Sequence, residues 1–453
     1  MKKNYLFGMA LMASLAFFSC TNEVIYVHDG ESSEQVSDDQ IITLQVSNGG
    51  DGLTTRAGRP LYSSEAKQTI DNVKLWICDN EGNVVYANTI GEWNTDQVST
   101  AYTTGGHGRQ KTIVLDGENK LAAGTYKIYA VGYSNSSDYD LTAVTEVKKT
   151  EEGEGKYTFS EDKINMVLPI KEDATNKIGE EIFAGQMDLN VESGKGFREP
   201  IILNRQVAGA FAYVKDIPYM DGAMYLKLVA SAKNKSLVLG NFNSFDLTGN
   251  GSGNEGHVNY VVNGTDAAND GNYKYDISKV DLTKWFTTIK DGDSDGLIDV
   301  DGNWKNGIDS KTDGEKETTF QKGSVFGGDF VIPFAKVDAH QSLTLVLTKE
   351  DGTELKSWKV KLAADDVNNA YYWSESNWSS QTSGETVNYY SLVRNHLYGI
   401  GTRMTDNPGG GTDPEPDPDP EDPEDKPESL NNKQELILRV NDNWEVIHGM
   451  ELE

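Results

Sequence analysis

The residues best suited to chemistry form an acidic loop at positions 291–302. Oxygen donors recur at alternate positions, in the order Asp291, Asp293, Asp295, Leu297 through its backbone carbonyl, Asp299 and Asp301. Gly296 permits a sharp turn among them, and this spacing is typical of calcium-binding loops. The twelfth position is Gly302 rather than a bidentate acid, so Asp301 would have to substitute. We expect a Ca²⁺ site here, with a solvated Asp-Gly turn in a strongly acidic protein as the alternative.

Other polar groups offer little sign of catalysis. Residues 251–256 match GxGxxG by letters, but residues 258–262 after them favour a strand, whereas a dinucleotide site needs a helix. No serine, cysteine or carboxylate pair stands in a catalytic context, so we predict that the chain is not an enzyme. The aromatic cluster of Tyr371, Tyr372, Trp373 and Trp378 could stack on sugars, with packing inside the fold as the alternative.

The elements that must position these residues are predicted to be β-strands. Short β-branched and aromatic runs alternate with clusters of Gly, Asn, Asp and Ser, and no long run has the 3.6-residue period of a helix. The 453 residues are long enough for two mostly antiparallel β domains, with a boundary near Ile201. The formal charge of −30 argues against nucleic acid as a partner, because phosphate groups repel it.

The N-terminus indicates export. Lys2 and Lys3 precede an apolar run at 5–18, which is too short to span a membrane, and then Ser19-Cys20. This order predicts a signal at 1–19 and acylation of Cys20, with an ordinary signal peptide and an incidental cysteine as the alternative. Cys78 is then the remaining cysteine, which excludes a structural disulfide and favours an inert packed thiol.

The C-terminus joins a stiff linker to an amphipathic segment. Residues 412–428 hold six of the twelve prolines and nine acidic residues, a composition that predicts extended polyproline II. Beyond them, five apolar residues recur with the two-residue period of strands: Leu436, Leu438, Val440, Trp444 and Val446. A strand pair alone is marginal in water, so the segment needs a sheet that the local chain does not supply. We expect it to lie outside both domain cores in the monomer.

A segment near the start has the same side-chain pattern. Residues 42–47 (ITLQVS) and 436–441 (LILRVN) carry aliphatic residues at the first, third and fifth places, so that Ile42, Leu44 and Val46 correspond to Leu436, Leu438 and Val440. The two segments could occupy one groove. Chance is the alternative, because alternating aliphatic residues are typical of any half-buried strand.

Six runs along the chain carry a family resemblance: the acylation-type signal, the arginine-containing loop at 48–59, KIYAVGY at 127–133, IFAG at 182–185, NRQVAG at 204–209 and YSLVRNHLY at 390–398. Together they resemble the fimbrillins, the pilus subunits of Bacteroidales type V fimbriae. The resemblance covers nearly the whole chain. The Asp-Pro linker and an insertion around residues 286–320 depart from it and leave open whether this is a stalk or an accessory subunit.

The resemblance implies a fold and a way of assembling. Fimbrillins have two transthyretin-like β-sandwich domains, are exported as lipoproteins and are cut after an arginine by a trypsin-like or arginine-specific surface protease. The first strand then leaves, and its groove receives a strand from the next subunit. On this chain the cut would fall between Arg56 and Ala57, the displaced strand would include Ile42, Leu44 and Val46, and the donor would be residues 434–453.

These inferences combine into one domain plan and one function. The plan is a signal at 1–19, a lipidated propeptide with the first strand at 20–56, β-sandwiches at 57–200 and 201–406, a linker at 407–433 and the donor segment at 434–453. The predicted function is that of an adhesive fimbrial subunit, first an outer-membrane lipoprotein and then part of an extracellular fibre. Its partners would be other subunits, the surface protease and a host or bacterial receptor. The alternative is a non-polymerising glycan-binding surface lipoprotein.

Overall fold

Strand-forming residues dominate the part of the chain that the structure describes. The computed structural model describes residues 38–46, 70–101, 109–145, 166–172, 179–239, 264–265, 274–305, 320–334, 340–362, 371–374, 377–380, 390–392, 394–402, 426–431 and 433–441. They belong to a unit that begins at Asp38 and is nearly all β, which confirms the predicted all-β class.

The strands in chain order are β1 (Gln40–Val46), β2 (Asn72–Asp79), β3 (Val84–Ile90), β4 (Thr100–Ala101), β5 (Arg109–Leu115), β6 (Gly124–Tyr133), β7 (Met166–Pro169), β8 (Phe183–Val191), β9 (Phe197–Arg205), β10 (Ala208–Lys215), β11 (Tyr225–Ala230), β12 (Ser236–Leu239), β13 (Gly264–Thr265), β14 (Tyr275–Asp281), β15 (Val325–Val331), β16 (Leu343–Thr348), β17 (Glu354–Leu362), β18 (Tyr371–Ser374), β19 (Asn377–Ser380), β20 (Leu397–Ile400), β21 (Glu428–Ser429) and β22 (Glu435–Asn441). The described helices are short: a 3₁₀ turn at Gly117–Asn119, α1 (Thr142–Thr145) and α2 (Leu282–Trp285). None of these helices has the length and apolar character that crossing a membrane requires.

The first sheet runs in the order β3-β2-β6-β8-β9-β1-β5-β4 among the described strands. β8 pairs with β6 along its whole length but with β9 only at Phe183 and Ala184, so the sheet turns there and folds over itself. Alternate residues of both layers then bury their side chains against each other, as the two-residue strand period requires. Leu75 and Ile128 from one layer share a core with Leu44 and Leu203 from the other.

The second sheet runs in the order β14-β11-β16-β17-β22-β20-β10-β15, with β21 beside β10. Its core includes Trp358 and Val360 of β17 and the stacked rings of Phe211 and Phe326, whose centroids are 5.6 Å apart. β22, the last described strand of the chain, therefore lies inside the sheet rather than at an edge.

A three-stranded ribbon joins the two halves of the chain. β7 pairs with β12, and β12 pairs with β13, so residues 166–169 are hydrogen-bonded to residues 236–239. Trp76, Tyr129 and Val131, on the other face of the first sheet, belong to the larger core cluster that the second sheet provides. The two sheets thus share buried apolar surface.

The crossing from the first sheet to the second differs from the predicted boundary. All nine residues of β9 belong to the first sheet, and Ile201 and Leu203 lie in its core. A boundary between residues 200 and 201 would divide this strand, whereas the chain enters the second sheet at Ala208. The apolar residues on either side of the crossing are separated by the polar run Asn204-Arg205-Gln206, and this break marks the crossing better than the start of the apolar run at Ile201.

Candidate functional site

The first part of the candidate site is β1 in its groove. β1 runs parallel to β9 on one side and antiparallel to β5 on the other, and it is paired with each over all seven residues. Ile42, Leu44 and Val46 are fully buried, as the alternation predicted. An interior strand with an apolar face leaves both an unpaired ladder and an open core wherever it is removed.

A side-chain hydrogen bond fixes the start of β1. The Gln40 amide nitrogen donates to the carbonyl oxygen of Leu121 at 2.9 Å, and the Leu121 backbone N–H donates to the Gln40 side-chain oxygen at 2.7 Å. Gln40 is 2% exposed. The apolar alternation did not identify this residue, because its partner is a backbone 81 residues away.

The second part of the site is β22, which the structure places in the second sheet. It runs parallel to β17 and antiparallel to β20, and Leu436 and Leu438 are 0% exposed. Ile437, on the other face, is 39% exposed. The expectation that this segment lies outside both cores in the monomer is therefore wrong. The side chain of Val440, and Trp444 and Val446, lie outside the described residues.

β1 and β22 occupy equivalent positions. Each lies inside a sheet between one parallel and one antiparallel neighbour, and each buries alternate aliphatic side chains. The correspondence of Ile42 with Leu436 and of Leu44 with Leu438 thus extends from side-chain type to surroundings, because all four are fully buried.

The end of the predicted linker is also attached to the second sheet. Lys426 exchanges backbone hydrogen bonds with Thr402, Glu428 in β21 pairs with Val214, and Leu430 is fully buried. The chain from residue 426 onward is therefore packed, although 407–433 was predicted to be linker. Residues 403–425, which hold most of the Asp-Pro run, lie outside the described part of the structure.

The acidic loop brings together three of its six predicted ligands. Carboxylate oxygens of Asp291, Asp293 and Asp299 all lie within 4.8 Å of one another. Both oxygens of Asp291 accept backbone N–H groups of the loop, from Asp295 at 3.1 Å and from Gly296 at 3.0 Å. Three hard oxygen donors at such separations can coordinate a divalent cation.

The other three predicted ligands, Asp295, Leu297 and Asp301, make contacts outside this group of three carboxylates. The Asp295 carboxylate accepts the N–H of Leu297 at 2.8 Å, and Asp301 forms an ion pair with Lys322 at 2.6 Å. The hydrogen bond from Lys322 lowers the pKa of the Asp301 carboxyl. Leu297 is bridged to Pro218, which attaches the loop to the segment after β10.

Three of the runs that resemble fimbrillins meet at the crossing between the sheets. Arg205 donates to the Glu181 carboxylate at 2.8 Å, with both side chains fully buried, and its guanidinium lies 5.0 Å from the ring of Phe183. The buried Arg394 donates to the Gln206 side chain at 3.1 Å. These contacts tie residues 182–185, 204–209 and 394–396 into one buried cluster.

Several predicted site residues cannot be placed. Cys20, Arg56 and Ala57 lie outside the described residues, so acylation and cleavage remain predictions. The predicted sugar-stacking aromatics form a hairpin of β18 and β19 in which Trp373 is the backbone partner of Trp378. Cys78 is buried, and burial raises the pKa of its thiol to about 12, in keeping with an inert packed cysteine.

Comparison with known proteins gives matches in structure only. No protein-family model matches the chain, and the search of curated proteins finds no relative. One similar solved structure is a candidate cell adhesion protein from Parabacteroides distasonis, with 11% identity, a TM-score of 0.39, and coverage of 90% of this chain and 97% of that one. Another is a fimbrial assembly protein from the same organism, with 9% identity, a TM-score of 0.35, and 82% and 92% coverage.

A third similar structure is the tip fimbrial protein Mfa3 from Porphyromonas gingivalis, with a C-terminal truncation. It shows 10% identity and a TM-score of 0.33, with coverage of 80% of this chain and 94% of that one. These three similar structures are thus described as cell adhesion or fimbrial proteins.

Proposed function

We propose that this protein is a structural subunit of an adhesive cell-surface fibre and that its subunits join by exchanging strands. The observation that carries the proposal is the equivalence of β1 and β22. Both are interior strands between one parallel and one antiparallel neighbour, and both bury aliphatic residues in the same alternation. A strand with the features of β22 is therefore suited to the groove of β1 in a second copy.

Assembly in this scheme begins with the loss of β1. The precursor is anchored through an acylated Cys20, and a surface protease cuts after Arg56, between β1 and β2. Among the described residues, β1 is then held by its two ladders, by its buried side chains and by the ion pairs of Asp38 with Lys120 and of Asp39 with Arg198. Its departure exposes the ladders of β5 and β9 and the apolar residues Ile113, Ile201 and Leu203. β22 of the next subunit then supplies hydrogen bonds to the two ladders and aliphatic side chains to the exposed apolar residues.

The donor strand must first leave its own sheet. Leu436 and Leu438 are buried between β17 and β20, so withdrawal costs roughly 1.5–3 kcal/mol for each side chain before the new groove repays it. An exchange between two similar sites is nearly balanced in free energy. Irreversible removal of β1 by proteolysis gives the exchange its direction, because the released strand is lost from the equilibrium.

Engineered disulfides test this proposal by locking each strand in place. Lys361→Cys with Ile437→Cys joins register partners on the outer face of β17 and β22, and Thr43→Cys with Thr112→Cys does the same for β1 and β5. Neighbouring strands lie about 5 Å apart, within the span of a disulfide. The first variant cannot donate, and the second cannot accept. The buried Cys78 does not compete for the new thiols.

Each oxidised variant should remain monomeric after cleavage, and reduction should restore fibres. A mixture of the two oxidised variants should stop at dimers, because one can only accept and the other can only donate. Native mass spectrometry before and after reduction measures the number of subunits in each assembly. Long fibres from the oxidised β22 lock would overturn strand donation, whereas cut wild-type protein that forms no fibres would favour the glycan-binding lipoprotein instead.

We also propose that the loop at 291–301 binds Ca²⁺. The support is the approach of the Asp291, Asp293 and Asp299 carboxylates within 4.8 Å of one another. The ion would be structural, because the loop is attached to the second sheet through Ile298, whose N–H donates to Ile217.

A further inference from the structure

Gln40, the first residue of β1, and Gln434, which directly precedes β22, stand at the same place relative to the aliphatic alternation of the two strands. Each precedes the first fully buried aliphatic residue of its strand by two positions, Gln40 before Ile42 and Gln434 before Leu436. The match between β1 and β22 therefore extends beyond the apolar alternation to a polar residue at its start.

The two glutamines have different surroundings. Gln40 is buried and makes a reciprocal pair of hydrogen bonds with the backbone of Leu121, at 2.9 and 2.7 Å. Gln434 is exposed, and among the described residues its side-chain amide has no hydrogen-bond partner, although its backbone carbonyl accepts the Lys359 N–H at 3.0 Å. The Gln434 side chain thus contributes nothing evident to β22 in its own sheet.

Removal of β1 leaves two backbone groups of Leu121 without hydrogen-bond partners, and an amide side chain can bond to both. Leu121 is buried, and without Gln40 its N–H loses an acceptor and its carbonyl loses a donor. Buried backbone groups left without partners are costly. Glutamine carries both an N–H donor and a carbonyl acceptor on one side chain, so it can satisfy both groups.

The apolar alternation cannot by itself fix the register of an incoming strand. A slip of one residue turns the aliphatic face outward, but a slip of two residues keeps aliphatic side chains on the buried face. Only one of these registers puts Gln434 opposite Leu121. The same register places Glu435 where Ile41 stands, opposite Arg198, whose partner in the uncut chain is Asp39 at 3.7 Å and leaves with β1.

We propose that Gln434 sets the register of strand exchange by replacing Gln40 at the Leu121 backbone of a second copy of this chain. The inference rests on the proposed function and identifies the determinant by which a groove recognises the correct donor register. β22 carries this glutamine for the groove of another subunit, because its own sheet does not use it.

The test compares Gln434→Met with Gln40→Met, which remove the same amide from the two strands while keeping side-chain length. In the full-length monomer, Gln434→Met should leave the unfolding midpoint unchanged. After cleavage, its fibres should dissociate at least about tenfold faster than wild type. The Leu121 amide, read by hydrogen exchange and mass spectrometry, should stay unprotected in those fibres.

Gln40→Met is the matched control and should behave in the opposite way. It should speed the release of β1 from the cut precursor, but its fibres should match wild type, since β1 is absent from them.

The outcomes separate the two proposals. Cut wild-type protein that stays monomeric overturns strand exchange itself. Normal wild-type assembly with equally stable Gln434→Met fibres and a protected Leu121 amide overturns only the role of Gln434. A lowered unfolding midpoint of the Gln434→Met monomer would also overturn it, because the residue would then serve its own sheet.

Discussion

At Asp293, one substitution separates a cation site from a solvated turn. If the loop binds Ca²⁺, the ion should raise the melting temperature of the wild-type protein, because it binds only the folded loop. Asp293→Asn should abolish most of this rise by removing one of the three neighbouring carboxylates. Calorimetry with and without Ca²⁺ measures the effect.

Asp301→Asn is the matched control for this prediction. Asp301 pairs with Lys322 rather than with the three carboxylates, so its loss should leave the Ca²⁺ response unchanged. If Ca²⁺ does not change the melting temperature of the wild-type protein, the loop is a solvated turn and not a cation site.

At Arg205, a buried ion pair holds the crossing between the sheets. Arg205→Ala leaves the Glu181 carboxylate buried without its cation, and such a loss costs about 3–5 kcal/mol of unfolding free energy. The double variant Arg205→Met, Glu181→Leu removes both charges and should recover much of that loss. Urea titration compares the three proteins. Equal stability of the single variant and the wild type would contradict a structural role for this pair.

Individual apolar residues were easier to predict than polar ones. The two-residue period identified Ile42 and Leu44 as buried and Leu436 and Leu438 as the apolar face of a strand, because the period follows from strand geometry alone. It did not show that Leu436 and Leu438 are buried in the monomer. The bonds of Gln40 to Leu121 depend on a fold that brings together residues 81 positions apart, and local sequence does not encode such proximity.

At the scale of elements, the place of β22 changes what its removal should do. Truncation after Leu430 deletes an interior strand with two fully buried leucines, so the second sheet should lose several kcal/mol of stability. Truncation after Asn441 keeps β22 and is the control. Denaturant unfolding should show a large drop only for the shorter protein. Equal midpoints for the two truncations would mean that β22 does not stabilise the monomer.

The sequence indicated that β22 needs a sheet but not which sheet. An amphipathic strand of period two suits any groove with an apolar floor and two free ladders. Its own second sheet offers such a place between β17 and β20, and the groove of β1 offers another. Which of the two sheets β22 joins depends on long-range topology and on whether β1 is present. The sequence of residues 434–441 determines neither.

At the scale of the whole molecule, the all-β class could be predicted because turn residues and short strands occur throughout the sequence. The extent of contact between the two sheets could not be predicted in this way. Residues on both faces of β2 are buried, with Leu75 and Ile77 in one core and Trp76 and Cys78 in the other. A strand buried on both faces shows apolar residues without alternation, and this pattern does not reveal which neighbour lies on which side.

The interior position of β1 has a mechanical consequence for a fibre built by exchange. A strand paired on both sides over seven residues, and pulled along its own axis, is loaded in shear, so its hydrogen bonds resist together instead of opening one at a time. An edge strand peeled from one end would yield bond by bond. Subunits linked through this groove would therefore withstand tension along the fibre far better than their modest contact length suggests.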